Sequence, residues 1–107
     1  MVIVISLSVA NHFIWNTCKG LRMPTILLIM GWRFFFYSNE RNEPIHIHAR
    51  KAEKECKYWL DSENFDIAEA FCFNMNESDQ RQVKKIIFEY FEFIEEQWAK
   101  FQRRERK

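Results

Sequence analysis

The chain has 107 residues and a formal net charge of +1, with 48% hydrophobic and 17% aromatic residues but only two glycines and two prolines. This length provides one domain with a modest core, and the composition excludes a disordered or linker-rich chain. The near-neutral charge excludes a global field that would direct the chain to nucleic acid or to an acidic membrane. Three widely spaced cysteines without a CxxC pair disfavour a disulfide framework and a structural zinc site, and they favour reduced thiols in the cytoplasm.

The first 22 residues differ from the rest of the chain. Residues 2–10 form an apolar run that lacks a basic segment before it and is far shorter than the roughly 20 residues that span a bilayer. No membrane anchor is therefore predicted. We expect a β-prone or disordered extension at 1–22, a single domain at 23–101 and a charged tail at 102–107 that frays in solution.

Short runs with β-forming character follow Met23. The apolar, aromatic or alternating runs lie at 26–29, 32–37, 45–49, 55–60 and 65–73. The runs at 45–49 and 55–60 alternate strictly and flank a charged turn, which predicts a β-hairpin. The run at 65–73 is a strand candidate that leaves a helix open, because it contains alanine and glutamate.

The C-terminal third carries the clearest pattern. Apolar residues recur at spacings of three and four from Val83 to Phe101, with charged residues at most positions between them. This pattern predicts one amphipathic helix of about six turns. Asn76 or Ser78 is expected to cap its start. The predicted fold is α+β, a small antiparallel sheet of about three to four strands packed against one long C-terminal helix.

Two histidines are the main candidates for chemistry. His46 and His48 are two positions apart on a predicted strand, so both side chains point to the same face. Two imidazoles with the carboxylate of Glu43 nearby are ligands for a divalent transition metal such as Zn, Fe, Ni or Mn. An imidazole beside a basic residue can instead act as a catalytic general base in RNA cleavage. The alternative of two histidines on a solvated strand face stays open.

Basic residues follow the histidines. They are Arg50, Lys51, Lys54 and Lys57. At a hairpin tip, such side chains make salt-sensitive contacts with the phosphates of RNA or DNA. Glu53 and Glu55 lie among them, so a charged, solvated turn is the alternative.

Several segments together resemble a known family. They are Met23-Pro24-Thr25-Ile26, the aromatic run before Ser38-Asn39-Glu40, the segment Glu43-Pro44-Ile45-His46-Ile47-His48, and the apolar helix with Trp98 near its end. Through them, residues 23–101 are similar to a small bacterial family of domains of unknown function, the forty-one-sixty type. The commonest signature of that family is Asp-His-x-Pro-Pro-His-Phe-His.

This chain departs from the family signature at two places. His46 and His48 match the last two histidines, whereas Arg41 stands near the place of the early histidine and Ile45 replaces the second proline. The resemblance would imply a metal site of three histidines, but one of them is missing here. A carboxylate from Glu40 or Glu43 would have to replace the missing imidazole.

The resemblance also implies a function. Members resemble components of toxin–antitoxin-like two-gene modules, which implies a protein- or nucleic-acid-interacting domain with a small partner protein encoded nearby. The family's usual first residue falls on Met23, so residues 1–22 resemble a start-site extension. The second hypothesis, from a different class, is a small RNA-cleaving or metal-dependent hydrolytic enzyme that uses His46 and His48. The sequence leaves open whether the protein is an enzyme.

Overall fold

The computed structural model describes residues 3–4, 25–37, 40 and 42–105. The strands are β1 (Ile3–Val4), β2 (Thr25–Ile29), β3 (Trp32–Phe35), β4 (His46–Lys51), β5 (Lys54–Asp61) and β6 (Asp66–Phe73), and the helices are α1 (Glu77–Glu89) and α2 (Phe91–Glu105). The strands lie in one sheet in chain order, with β2 to β6 antiparallel and β1 parallel to β2. The predicted α+β class is confirmed. None of the helices in the described ranges is long and apolar enough to cross a membrane.

Tight turns determine the order of the strands, because a short connection makes consecutive strands pair antiparallel. Met30 and Gly31, between β2 and β3, both have positive φ values (54° and 84°), as a type I′ hairpin turn requires. A Cβ atom on Gly31 would lie 3.0 Å from Cε of Lys51, so the glycine also leaves room for that side chain. Ala52 has a positive φ of 56° in the turn between β4 and β5.

One face of the sheet, which we call the helix face, packs against both helices. Trp32, Phe34 and Ile47 are fully buried there, beside Val83 and Ile87 of α1. Removal of such side chains from water contributes roughly 1.5–3 kcal/mol each. The opposite side of the sheet carries His46 and His48, and we call it the histidine face.

The prediction of three to four strands and one long helix is corrected on both points. The antiparallel part of the sheet has five strands, because the runs at 26–29 and 65–73 both pair in it. The helical segment is interrupted at Tyr90. A straight helix from Glu77 to Glu105 would be about 43 Å long at roughly 1.5 Å per residue, which exceeds the 32 Å largest dimension of the molecule. The interruption lets both segments stay in contact with the sheet.

The start of α1 agrees with the sequence. Asn76 is the N-cap residue, and its side chain accepts a hydrogen bond from the backbone N–H of Asp79 at 2.7 Å. The carboxylate of Asp79 accepts in return from the N–H of Asn76 at 3.2 Å, which completes a capping box. Lys54 of β5 lies 3.0 Å from the same carboxylate, so the helix start is also bound to the sheet.

The predicted extension at 1–22 lies largely outside the described residues, whereas most of the predicted tail at 102–107 lies within them. Within the predicted extension, Ile3 and Val4 are described, and they pair in parallel with Leu27 and Leu28. At the other end, α2 continues to Glu105, and residues 106–107 are outside the described range.

Candidate metal centre

The two histidines of β4 meet a carboxylate from the preceding loop. Strand alternation puts His46 and His48 on the histidine face while the apolar residues of β4 point into the core. Glu40 belongs to the loop between β3 and β4, where its N–H donates to the carbonyl of Tyr37 at 3.2 Å. This turn directs the Glu40 side chain toward the two imidazoles.

Three potential ligand atoms converge at this point. Oε1 of Glu40 lies 2.8 Å from Nε2 of His46 and 2.7 Å from Nε2 of His48, and all three atoms lie within 4.8 Å of one another. His46 is fully buried and His48 is 2% exposed, whereas the Glu40 side chain is 23% exposed. Two imidazole nitrogens and a carboxylate oxygen are a ligand set of divalent transition metals.

The hydrogen bonds of His46 define the charge that this arrangement needs. Nδ1 of His46 lies 2.8 Å from the carbonyl oxygen of Pro44, which can only accept, so Nδ1 carries a proton. Nε2 on the other side of the ring faces a second acceptor, the Glu40 carboxylate. With the proton on Nδ1, Nε2 of a neutral ring would point a lone pair at that carboxylate. A proton or a metal ion between the two atoms is needed to remove this repulsion.

His48 has the properties of a neutral ligand. Its Nδ1 is buried and has no hydrogen-bond partner in the described part of the chain. Oε2 of Glu55 lies 3.8 Å from it, beyond hydrogen-bond distance. Burial and the charges of His46 and Lys57 lower the pKa of His48, and together they outweigh the hydrogen bond and charge of Glu40, which raise it. The ring is therefore neutral near pH 7, the form in which an imidazole nitrogen binds metal.

Glu40 stays ionised although it is partly covered. Burial raises its pKa, but the hydrogen bonds from His48 and His46 and the charge of Lys57 outweigh burial and hold the pKa below its ordinary value. Nζ of Lys57 lies 3.7 Å from Oε2 of Glu40 and 2.7 Å from Oε1 of Glu43. The carboxylate is therefore in the form that binds a cation.

Aromatic rings surround the imidazoles. Phe35 stacks on His48 with centroids 5.5 Å apart. Trp59 and Trp98 contact His46 at centroid distances of 5.4 and 5.1 Å. These rings reduce the local dielectric, which strengthens every charge interaction at the centre.

The carboxylate at the centre belongs to Glu40, one of the two that the sequence offered. Oε1 of Glu43 is 2.7 Å from Lys57, and it is 3.9 Å from Nδ1 of His46, the nitrogen that faces away from Glu40. Glu43 thus neutralises the neighbouring lysine, and it does not converge with both histidines.

The four predicted basic contacts do not share one surface. Arg50 and Lys57 point to the histidine face, whereas Lys51 and Lys54 point to the helix face. Lys54 pairs with an acidic residue at the start of α1, and Lys57 pairs with Glu43. The structure therefore divides the predicted nucleic-acid patch between two sides of the sheet.

Sequence reasoning missed the residues that line the centre from neighbouring strands. Trp59 lies directly opposite His46 in the β4–β5 register, and Tyr37 donates a 3.2 Å hydrogen bond to Glu55. The alternation of Glu55, Lys57 and Trp59 along β5 was the available signal, because the predicted hairpin aligns them with the histidines.

The fold and this centre define a small α+β domain with two histidines and one carboxylate as its candidate metal ligands. A family model for a domain of unknown function (DUF4160) matches residues 31–99, so the chain belongs to this family. The match covers all three candidate ligands and confirms the family resemblance. No curated protein and no solved structure matches the chain.

Proposed function

We propose that the domain is a small metal-dependent hydrolytic enzyme whose metal is bound by Glu40, His46 and His48. The observation that carries this proposal is the pair of acceptors around the buried His46 ring. A metal ion at Nε2 removes the conflict between lone pairs without a buried imidazolium. The N–H of the same ring that donates to the Pro44 carbonyl is the second hydrogen bond that metal-binding histidines usually make.

Three candidate ligands converge within the described part of the chain, and this number favours a catalytic over a structural centre. Structural zinc sites are closed by four protein ligands, whereas catalytic sites have three and keep a position for water. When bound there, a metal would supply a water of lowered pKa as the nucleophile for hydrolysis. The Oε1–Nε2 distances of 2.8 and 2.7 Å suit direct hydrogen bonds, so the Glu40 carboxylate would have to move slightly away from the two imidazoles to hold a metal together with them. Its partial exposure permits this movement.

Metal-free RNA cleavage is less well supported. A general base must reach the proton that it removes, but His46 and His48 are buried and both point at Glu40. The proposed phosphate contacts Lys51 and Lys54 lie on the opposite face of the sheet.

Elemental analysis of tag-free protein tests metal binding. We expect one transition metal per chain in the wild type, and loss of the metal in Glu40→Ala and in the double variant His46→Ala/His48→Ala. Glu43→Ala is the matched control and should retain the metal. Thermal melting of each variant verifies folding. A folded wild type that stays metal-free after incubation with Zn, Fe(II), Ni or Mn salts would refute the proposal.

Hydrolysis is measured separately on the metal-loaded protein. The substrates are bis(para-nitrophenyl) phosphate and para-nitrophenyl acetate. We expect turnover of one of them that stops after chelation and returns when the metal is restored. If the protein binds metal but hydrolyses neither substrate, the metal site is supported and the proposal of an enzyme is refuted.

A second candidate function is a protein-interacting component of a toxin–antitoxin-like two-gene module. It is supported by β6, an eight-residue strand at the end of the sheet, on which Phe71 is 41% and Phe73 61% exposed. An edge strand with exposed apolar side chains can pair with a strand of another protein. The partner would be a small protein encoded nearby, and contacts of Arg50 with RNA or DNA belong to the same candidate.

Co-expression with the product of the adjacent gene tests this candidate. A complex seen by native mass spectrometry should be lost in Phe71→Ser/Phe73→Ser and kept in Met30→Ser, which changes an exposed apolar side chain away from β6. Cytoplasmic localisation fits this candidate, because Cys56 and Cys72 are free thiols and thiols persist in a reducing compartment.

A further inference from the structure

An open aromatic groove lies where α1 meets α2. Phe65, in the turn between β5 and β6, contacts Phe88 and Phe91 with ring centroids 5.7 and 4.7 Å apart. With Tyr90 and Phe93, these rings line a groove of about 340 Å³. None of these five residues belongs to the proposed metal centre.

The backbone of Phe65 is unusual for a phenylalanine. Its φ is 52°, in the left-handed region that is costly for a bulky side chain, and the side chain is 56% exposed. Glycine or asparagine adopts this conformation more easily. Burial of the ring therefore does not explain why a phenylalanine occupies the turn, which points to a role of the ring in the groove.

Negative charge borders the same rings. Glu89 and Glu92 line the groove and are exposed, and neither forms an ion pair in the described part of the chain. The last turn of α1 contains no basic residue. The groove thus combines π faces with carboxylates that are not neutralised.

We propose that the aromatic groove binds an arginine or lysine side chain from a basic segment of a partner protein. The negative faces of aromatic rings attract cations, and a planar guanidinium also stacks on them. The charges of Glu89 and Glu92 complement the same group. Within the domain, Nζ of Lys57 already lies 4.5 Å from the ring centroid of Trp59, which is the same type of contact. This inference is independent of the proposed metal centre.

Fluorescence anisotropy with designed peptides tests the groove on the full chain. The probe is a fluorescein-labelled peptide of alternating arginine and leucine, and the matched peptide has citrulline, a neutral isostere, at each arginine. We expect the citrulline peptide to bind about tenfold more weakly at physiological ionic strength. Equal binding of the two peptides, or no binding of the arginine peptide, would overturn the proposal.

Variants separate the groove from general charge attraction. Phe65→Asn suits the backbone of the turn but removes the ring, so it should lose binding without a lower melting temperature. Glu89→Gln/Glu92→Gln should weaken binding, whereas Glu53→Gln/Glu77→Gln removes the same charge from exposed positions away from the groove and should not. Equal effects of the two double variants would contradict a specific site.

Discussion

On one side of the sheet, Phe34 and Ile47 are buried beneath two helices. On the other side, His46 and His48 are buried beneath a loop and aromatic rings, and one of these rings, Trp98, comes from α2. Burial on the helix face follows from removal of apolar surface from water. Burial on the histidine face removes polar atoms from water, and hydrogen bonds with Glu40 only partly compensate. These two pairs of side chains are therefore equally buried, but their burial contributes differently to stability.

This difference is the one expected if the histidine face carries the proposed metal centre. An unpartnered buried nitrogen such as Nδ1 of His48 costs roughly 1–3 kcal/mol. Proteins retain such local costs mainly where the residue serves binding or catalysis. Substitutions on the two faces should then have different effects.

The largest effect is expected on the helix face. Phe34→Ala should lower the free energy of unfolding by about 3–5 kcal/mol, because it removes a fully buried ring and leaves a cavity. Urea unfolding followed by circular dichroism measures the change. Phe73→Ala, at an exposed position of β6, is the control and should stay within about 0.5 kcal/mol of the wild type. Similar losses in both variants would contradict this assignment of the core.

Two lysines of β5, one on each face, allow a direct comparison of the two faces. Lys57 is 10% exposed on the histidine face and neutralises Glu43, whereas Lys54 is 36% exposed at the start of α1. Lys57→Met should cost about 1–3 kcal/mol, because it leaves carboxylates beside the centre without their cation. Lys54→Met should cost less than about 1 kcal/mol. If urea unfolding shows a larger loss of unfolding free energy for Lys54→Met than for Lys57→Met, the expected difference between the two faces is wrong.

Replacement of a histidine should have a small effect of the opposite sign. His48→Phe removes the unpartnered nitrogen and the bond to Glu40 together, so metal-free protein should be up to about 1 kcal/mol more stable than the wild type. The same variant should lose the metal. Phe34→His, the reciprocal change on the helix face, should be strongly destabilising. If His48→Phe lowers the free energy of unfolding by more than about 2 kcal/mol, His48 has a structural role.

The smallest effect concerns Asp79, which links the sheet to α1. The hydrogen bond from Lys54 holds the pKa of Asp79 below its ordinary value of 3.8. A carboxyl group with a lowered pKa stabilises the fold above that ordinary value, and the contribution is lost as the pH falls through the folded-state pKa. Asp79→Asn should therefore melt slightly earlier than the wild type at neutral pH and at the same temperature in strong acid. A difference that persists in acid would exclude this ion pair as its cause.

Much of the helix face could be predicted from apolar spacing. The alternation of β4 and β5 and the three-and-four spacing after Val83 identified the hairpin and the helical segment. The number of strands was underestimated, because residues 65–73 have a composition that also suits a helix. The interruption at Tyr90 was not predictable, because the apolar spacing continues through it without proline or glycine.

The candidate metal centre was predictable only in part. The spacing of two placed His46 and His48 on one face, as observed. The choice between Glu40 and Glu43 depends on the conformation of an irregular loop, which no periodic pattern specifies. Strand alternation could have predicted that the basic residues lie on two faces of the sheet, since Arg50 and Lys51 are adjacent on a strand and must point to opposite faces.

The three ligands of the proposed centre lie within nine consecutive positions, from Glu40 to His48. Closure of so short a loop costs little chain entropy, so these groups can meet early in folding, when β4 first pairs with β5. A cation bound at that stage would add its binding free energy to folding itself. On the proposed function, the supply of metal in the surrounding solution would then set how quickly, and how completely, the newly made chain reaches its native state.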